Sequence, residues 1–128
     1  MPAGVVCQFP VDAEPVQQAL RLRYHYDDAG NVDGYEVVGP LVARVTNVDT
    51  GASVQRNLSG RGVVTFNPDG SYDALVDGGF LVFFLSRDHP ANELLFLDGR
   101  SELHGSPSGV KTLVSSTGRS EDLCLTLG

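Results

Sequence analysis

Val63-Val64-Thr65-Phe66-Asn67-Pro68-Asp69-Gly70-Ser71-Tyr72-Asp73-Ala74-Leu75-Val76 decides the class of this chain. Two runs rich in β-branched and aromatic residues flank Asn67-Pro68-Asp69-Gly70. Pro68 presets φ for the first central position of a turn, and Asp69-Gly70 supplies residues that tolerate the left-handed region. The stretch reads as a β-hairpin, and the same punctuation recurs on both sides of it.

Upstream, Asp49-Thr50-Gly51 is a second hairpin turn, between strands at 41–48 and 52–58, the latter ended by Ser59-Gly60-Arg61-Gly62. A short strand from 35 precedes Gly39-Pro40, where a bend or bulge is expected. Residues 17–26 alternate, with Leu20, Leu22, Tyr24 and Tyr26 on one side and Arg21, Arg23 and His25 on the other. That period of two predicts a half-buried strand. Downstream of Gly78-Gly79 comes Phe80-Leu81-Val82-Phe83-Phe84-Leu85, apolar on both faces. Further strands are expected at 93–98, 100–104 and 110–115, joined at Gly99 and at Ser106-Pro107-Ser108-Gly109. The one helical candidate is a turn at Ser120-Glu121-Asp122-Leu123, with Ser120 as cap.

The expected fold is therefore all-β, an antiparallel meander of about eight to ten short strands closing into a barrel or a two-sheet sandwich. It occupies 1–128 as one domain, with residues 1–16 as an N-terminal arm and 17–128 as the barrel or sandwich. Composition agrees: 128 residues suffice for one core, and 15 Gly and 7 Pro leave little room for long helices. With 41% hydrophobic and 20% charged residues the chain is neither disordered nor fibrous. No apolar run nears the roughly 20 residues of a spanning helix. The net charge of -7 argues against a nucleic-acid partner, since phosphate binding is driven by cationic side chains.

Cys7 and Cys124 stand near opposite ends of the chain. Bonded, they would clasp the first and last segments; unbonded, they would be two buried thiols in a reducing compartment. Neither suits a catalytic thiol, because Glu121 and Asp122 put the wrong charge beside Cys124.

Several motifs occur in a telling order: Cys7-Gln8-Phe9-Pro10, an Asp/Gly loop after the first long strand, and Thr46-Asn47-Val48-Asp49-Thr50-Gly51. Then follow Ser59-Gly60, Asn67-Pro68-Asp69-Gly70, Leu97-Asp98-Gly99-Arg100, and a closing Asp122-Leu123-Cys124. This order resembles small actinobacterial secreted β-domain proteins, which open with Cys-x-Phe-Pro and end with Asp-Leu/Ile-Cys. The resemblance implies the β fold and the Cys7–Cys124 clasp, and no activity. Those proteins carry a signal peptide, whereas Met1-Pro2-Ala3-Gly4-Val5-Val6 has no basic or apolar leader. A phage-encoded version is the expectation drawn from that difference.

The candidates for chemistry are weak. The loop Asp27-Asp28-Ala29-Gly30-Asn31-Val32-Asp33-Gly34 fails the EF-hand pattern at both anchor positions and reads as an acidic hairpin loop. His25, His89 and His104 share no metal-ligand spacing, and there is no Gly-x-Ser-x-Gly elbow. Asp73 and Asp77 read as solvated carboxylates. No catalytic residue, metal or cofactor is expected.

The leading functional expectation is a non-enzymatic assembly protein in a phage virion, as a capsid decoration or a small tail or head–tail protein. It would act as a homo-oligomer or with other virion proteins, without nucleic acid or membrane. The expected interface is the strand Phe80, Leu81, Val82, Phe83, Phe84 and Leu85. One face of a small antiparallel sheet normally meets water, so a strand apolar on both faces needs a second cover, from a neighbouring subunit in preference to the N-terminal stretch 5–16. The alternatives are a secreted binding module and a small-molecule barrel or barrel-type isomerase. The last would need a lined cavity, with Tyr24, Tyr26, Arg44 and His104 as candidate lining.

Overall fold

Turn chemistry sets the strand ends. At the central hairpin the Asp69 carboxylate accepts from the Ser71 amide at 2.9 Å, and the Gly70 amide donates to the Asn67 carbonyl at 3.1 Å. Asn47 opens the Asp49-Thr50-Gly51 turn in the same way, its side-chain oxygen accepting from the Asp49 amide at 3.0 Å.

The computed structural model describes residues 1–128. Nine strands follow one another: β1 (Val11–Gln18), β2 (Arg21–Tyr26), β3 (Val32–Gly39), β4 (Leu41–Asn47), β5 (Ser53–Asn57), β6 (Gly60–Phe66), β7 (Tyr72–Phe84), β8 (Glu93–Gly105) and β9 (Lys111–Asp122). A short helix, α1 (Leu123–Leu127), ends the chain. A three-stranded sheet has the order β1-β4-β5, and a six-stranded sheet the order β2-β3-β6-β7-β8-β9. All named pairs are antiparallel.

The two sheets are halves of one idea. Only two residues separate β1 from β2, one separates β3 from β4, and two separate β5 from β6. Each of these pairs is a single long strand bent in the middle. The bend runs along a row of glycines paired across neighbouring strands: Gly39 with Gly60, Gly60 with Gly78, Gly78 with Gly99, and Gly99 with Gly118. All five have positive φ. A Cβ on Gly78 would lie 2.5 Å from the Ser59 carbonyl oxygen, closer than real atoms approach. Glycine is the residue that both adopts this backbone and leaves room for the adjoining strand.

Beyond the row the long β7–β8 hairpin continues, and its two faces join two cores. Phe84, Val82, Leu95 and Leu97 pack with Ala74 and Leu103 of the same sheet. Leu94 and Phe96 pack with Val45 of the small sheet, with Val6, Cys7 and Val11, and with Leu123 and Leu127 of α1. The bent sheet therefore folds over its own hairpin.

The all-β meander in two sheets is the architecture observed, and it is not a closed barrel, since β2 and β9 remain unpaired edges. Other expectations are corrected. Gly78-Gly79 and Gly99 bend β7 and β8 without ending them. Part of the 1–16 arm is strand: Val11 through Gln18 pairs with β4. The strand at 21–26 is exposed on both sides, with Leu22 53%, Tyr24 50% and Tyr26 62% exposed. The helical turn lies further on, capped by Asp122, whose carboxylate accepts from the Cys124 amide at 2.9 Å.

Cys7 and Cys124 form a disulfide across 117 positions, with Cα atoms 5.3 Å apart. A loop of that length corresponds to about 4.7 kcal/mol in the chain-entropy account, an upper figure. Cys124→Ser is expected to cost a few kcal/mol with the strand content kept, as read by urea denaturation and circular dichroism. An unchanged denaturation midpoint would show that the clasp adds nothing.

Candidate binding cleft

Residues 80–85, the interface expected from sequence, are internal for the most part. Phe84 is fully buried and Val82 nearly so, while Phe80, Leu81, Phe83 and Leu85 are partly buried and packed against one core or the other. The second cover is supplied by the N-terminal segment, α1 and the small sheet. No neighbouring subunit is needed to explain this strand, and its assignment to an interface loses its basis.

The fold leaves a different feature open. Between the inner face of the six-stranded sheet and the small sheet lies a cleft of about 850 Å³. Strand register builds its floor. Tyr35, Val64, Ala74 and Leu103 form one cross-strand row, and Val37, Gly62 and Val76 form the next. Leu41 and Ala43 of β4 and Phe80 and Val82 of β7 also line it. Of the 26 residues around it, 18 are hydrophobic. The hairpin fills only part of the space enclosed by the bent sheet, and the remainder is this cleft.

The four lining candidates named from sequence are elsewhere. Tyr24 and Tyr26 are on exposed β2; Arg44 pairs with Glu14 at 3.0 Å; His104 bonds Asp73 at 2.8 Å on the outer face. The residues that do line the cleft were legible only as inward members of strands whose pairing was unknown. Two polar side chains sit at one end of the floor. Tyr72, Gly105 and Lys111 face one another across β7, β8 and β9, and Tyr72 and Lys111 both line the cleft. The space a Cβ would take at Gly105 is filled by the Tyr72 ring. Burial raises the Tyr72 phenol above its ordinary value, with the nearby Asp88 carboxylate adding to the shift.

Asp88 is buried and its charge is already satisfied. It accepts from the Leu85 amide at 2.7 Å and the Lys111 amide at 2.8 Å, with the Lys111 ammonium 3.4 Å away. Burial opposes its ionisation, and the two amides and Lys111 together hold its pKa below the usual value.

The remaining polar clusters face outward or staple elements together. Asp73 takes hydrogen bonds from Asn67 and pairs with His104, which lower its pKa. No nucleophile is bonded to that histidine. The Asp27 carboxylate accepts from the Ala29 and Asn31 amides, closing its own loop. No three His, Cys, Asp or Glu side chains converge as a metal cage. Arg56 of β5 makes a two-pronged bond to Glu121 of β9, at 2.8 and 2.9 Å, and lies over the Phe96 ring with Arg119.

The Arg56 bonds, aided by Thr126 and Arg119, pull the Glu121 pKa from 4.5 to about 2 against the opposing effect of burial. A carboxyl depressed in the folded state stabilises above its unfolded pKa and loses that contribution as pH falls through the folded value. Urea midpoints of the parent should therefore drop between pH 4.5 and about 2. Glu121→Gln should be less stable at pH 7 and lose less over that window. Equal losses in both proteins would mean that the staple is energetically silent.

Comparison with known proteins finds no matching family model, no matching curated protein and no matching solved structure.

Proposed function

We propose that this chain is a non-enzymatic binding domain whose working site is the apolar cleft between its two sheets. The observation that carries this reading is the cleft itself, about 850 Å³ with a mainly hydrophobic lining. Ligand sites are typically clefts of roughly 300–1,000 Å³, mostly apolar, with a few polar groups that orient the ligand. The paired acid and imidazole groups lie on the outer face, so the cleft offers surfaces for holding a molecule and no evident acid–base pair for transforming it. The Cys7–Cys124 disulfide supports an oxidising setting, either secreted or on a particle exposed outside the cell.

A second reading, a virion component, is favoured by one observation. β2 is an unpaired edge strand with Leu22, Tyr24 and Tyr26 exposed together, and assembly would cover such a strip. In that reading the oligomer contact is β2, in place of residues 80–85.

The test of the cleft is titration with 1-anilinonaphthalene-8-sulfonate. Fluorescence should rise with saturation at one site per chain. Val37→Trp, which fills the floor from a half-buried position, should weaken binding by roughly tenfold, the scale of 1.4 kcal/mol. Equal binding by both proteins would remove the cleft as the site. Failure of the parent to bind this probe or the alkyl probes below would remove the reading altogether.

A further inference from the structure

The polar end of the cleft says what kind of molecule would fit. Lys111 is the chain's only lysine. The other two charged residues along the cleft are committed elsewhere: Arg61 bonds Glu36 at 2.8 Å and Glu14 bonds Arg44 at 3.0 Å. The Lys111 ammonium is different. It lies 3.4 Å from the buried Asp88 carboxylate, which two backbone amides also hold, so the ion pair leaves part of the ammonium's donor capacity open toward the cleft. The Tyr72 ring is packed over Gly105, and its hydroxyl is not left buried without a partner. Burial favours the neutral phenol, which keeps its proton as a donor. An apolar floor thus ends at two donors, a phenol and an ammonium shared with Asp88, in a protein of net charge -7.

Resting on the cleft reading above, we infer that the occupant is a single-chain amphiphile with an anionic head, its alkyl part along Val37, Val64 and Val76 and its head at Lys111 and Tyr72. The overall negative charge disfavours anions at a distance, so the local ammonium has to select them at the mouth. A cationic amphiphile would meet Lys111 as a like charge. A neutral alcohol head could accept a hydrogen bond there but would supply no charge to strengthen it.

The experiment uses the full oxidised chain and three probes of one length, decanoate, 1-decanol and decyltrimethylammonium, each by calorimetry and by displacement of the fluorescent probe. Decanoate should bind at least about tenfold more tightly than the other two, the order expected for a charge-assisted hydrogen bond. Lys111→Met keeps most of the stem and should erase that preference, chiefly through loss of decanoate affinity; Tyr72→Phe should reduce the preference in part. Equal affinities for all three probes on the parent, or a Lys111→Met protein that still prefers decanoate, would overturn the anionic-head assignment and leave the cleft standing. Binding of none of the three, with no displacement, would overturn both.

Discussion

Phe84→Asp is expected to abolish folding. Phe84 is fully buried between Leu95, Leu97 and Val82 in the core where the sheet folds over its hairpin. Removing a phenylalanine from such a site costs about 3–5 kcal/mol. An unpaired carboxylate at the same place adds a desolvation penalty of several kcal/mol, or binds a proton at neutral pH. The sum rivals the roughly 5–15 kcal/mol by which domains are stable at all. The measurement is circular dichroism with a urea titration, beside Phe84→Leu, which should lose only about 1–2 kcal/mol. A folded, soluble Phe84→Asp protein would show that this strand is not internal.

Gly78→Val should be almost as damaging, by a different route. The residue sits in the middle of the glycine row at φ +112, a conformation that branched side chains avoid. Its added Cβ would meet the Ser59 carbonyl oxygen at 2.5 Å, and that oxygen belongs to backbone. The strained dihedral alone is worth about 1–3 kcal/mol, and the clash forces β7 away from the β5–β6 junction. A loss of at least about 3 kcal/mol is expected by urea denaturation. Gly51→Ala serves as a control, because Gly51 shares a positive φ but a Cβ there meets nothing within 4 Å. If Gly78→Val cost no more than Gly51→Ala, the row would be incidental and not the hinge of the sheet.

That row also explains what was readable beforehand. The hairpin at Asn67-Pro68-Asp69-Gly70 was legible because its turn residues act locally, and the structure closes the turn with the bonds they imply. Gly78, Gly99 and Gly118 use the same residue type for a non-local purpose, allowing one strand to pass close to the next. In sequence a bend and a turn look alike, so β7 and β8 were cut where they continue. The cleft was illegible for a related reason. Val37, Val64 and Val76 become neighbours only through the β3–β6–β7 register. Tyr24 and Tyr26, whose alternation promised burial, fall on the edge strand because nothing in the local pattern says which strand comes last.

One geometry thus links the stability of the chain to its binding surface. The glycines fold the sheet, the hairpin and the disulfide-linked ends fill one part of the enclosed space, and the part left unfilled is the cleft. Changes at Phe84 or Gly78 act on the scaffold, whereas Val37 and Lys111 act on the site.

The most direct test of the cleft as the binding site is a map of backbone amide shifts on a uniformly labelled chain titrated with decanoate. Perturbations should centre on Val37, Val64, Val76 and Phe80 and extend to Tyr72 and Lys111, with little change at the outer-face pair Asp73 and His104. Shifts confined to Leu22, Tyr24 and Tyr26 on the exposed edge, or none at saturating ligand, would contradict it.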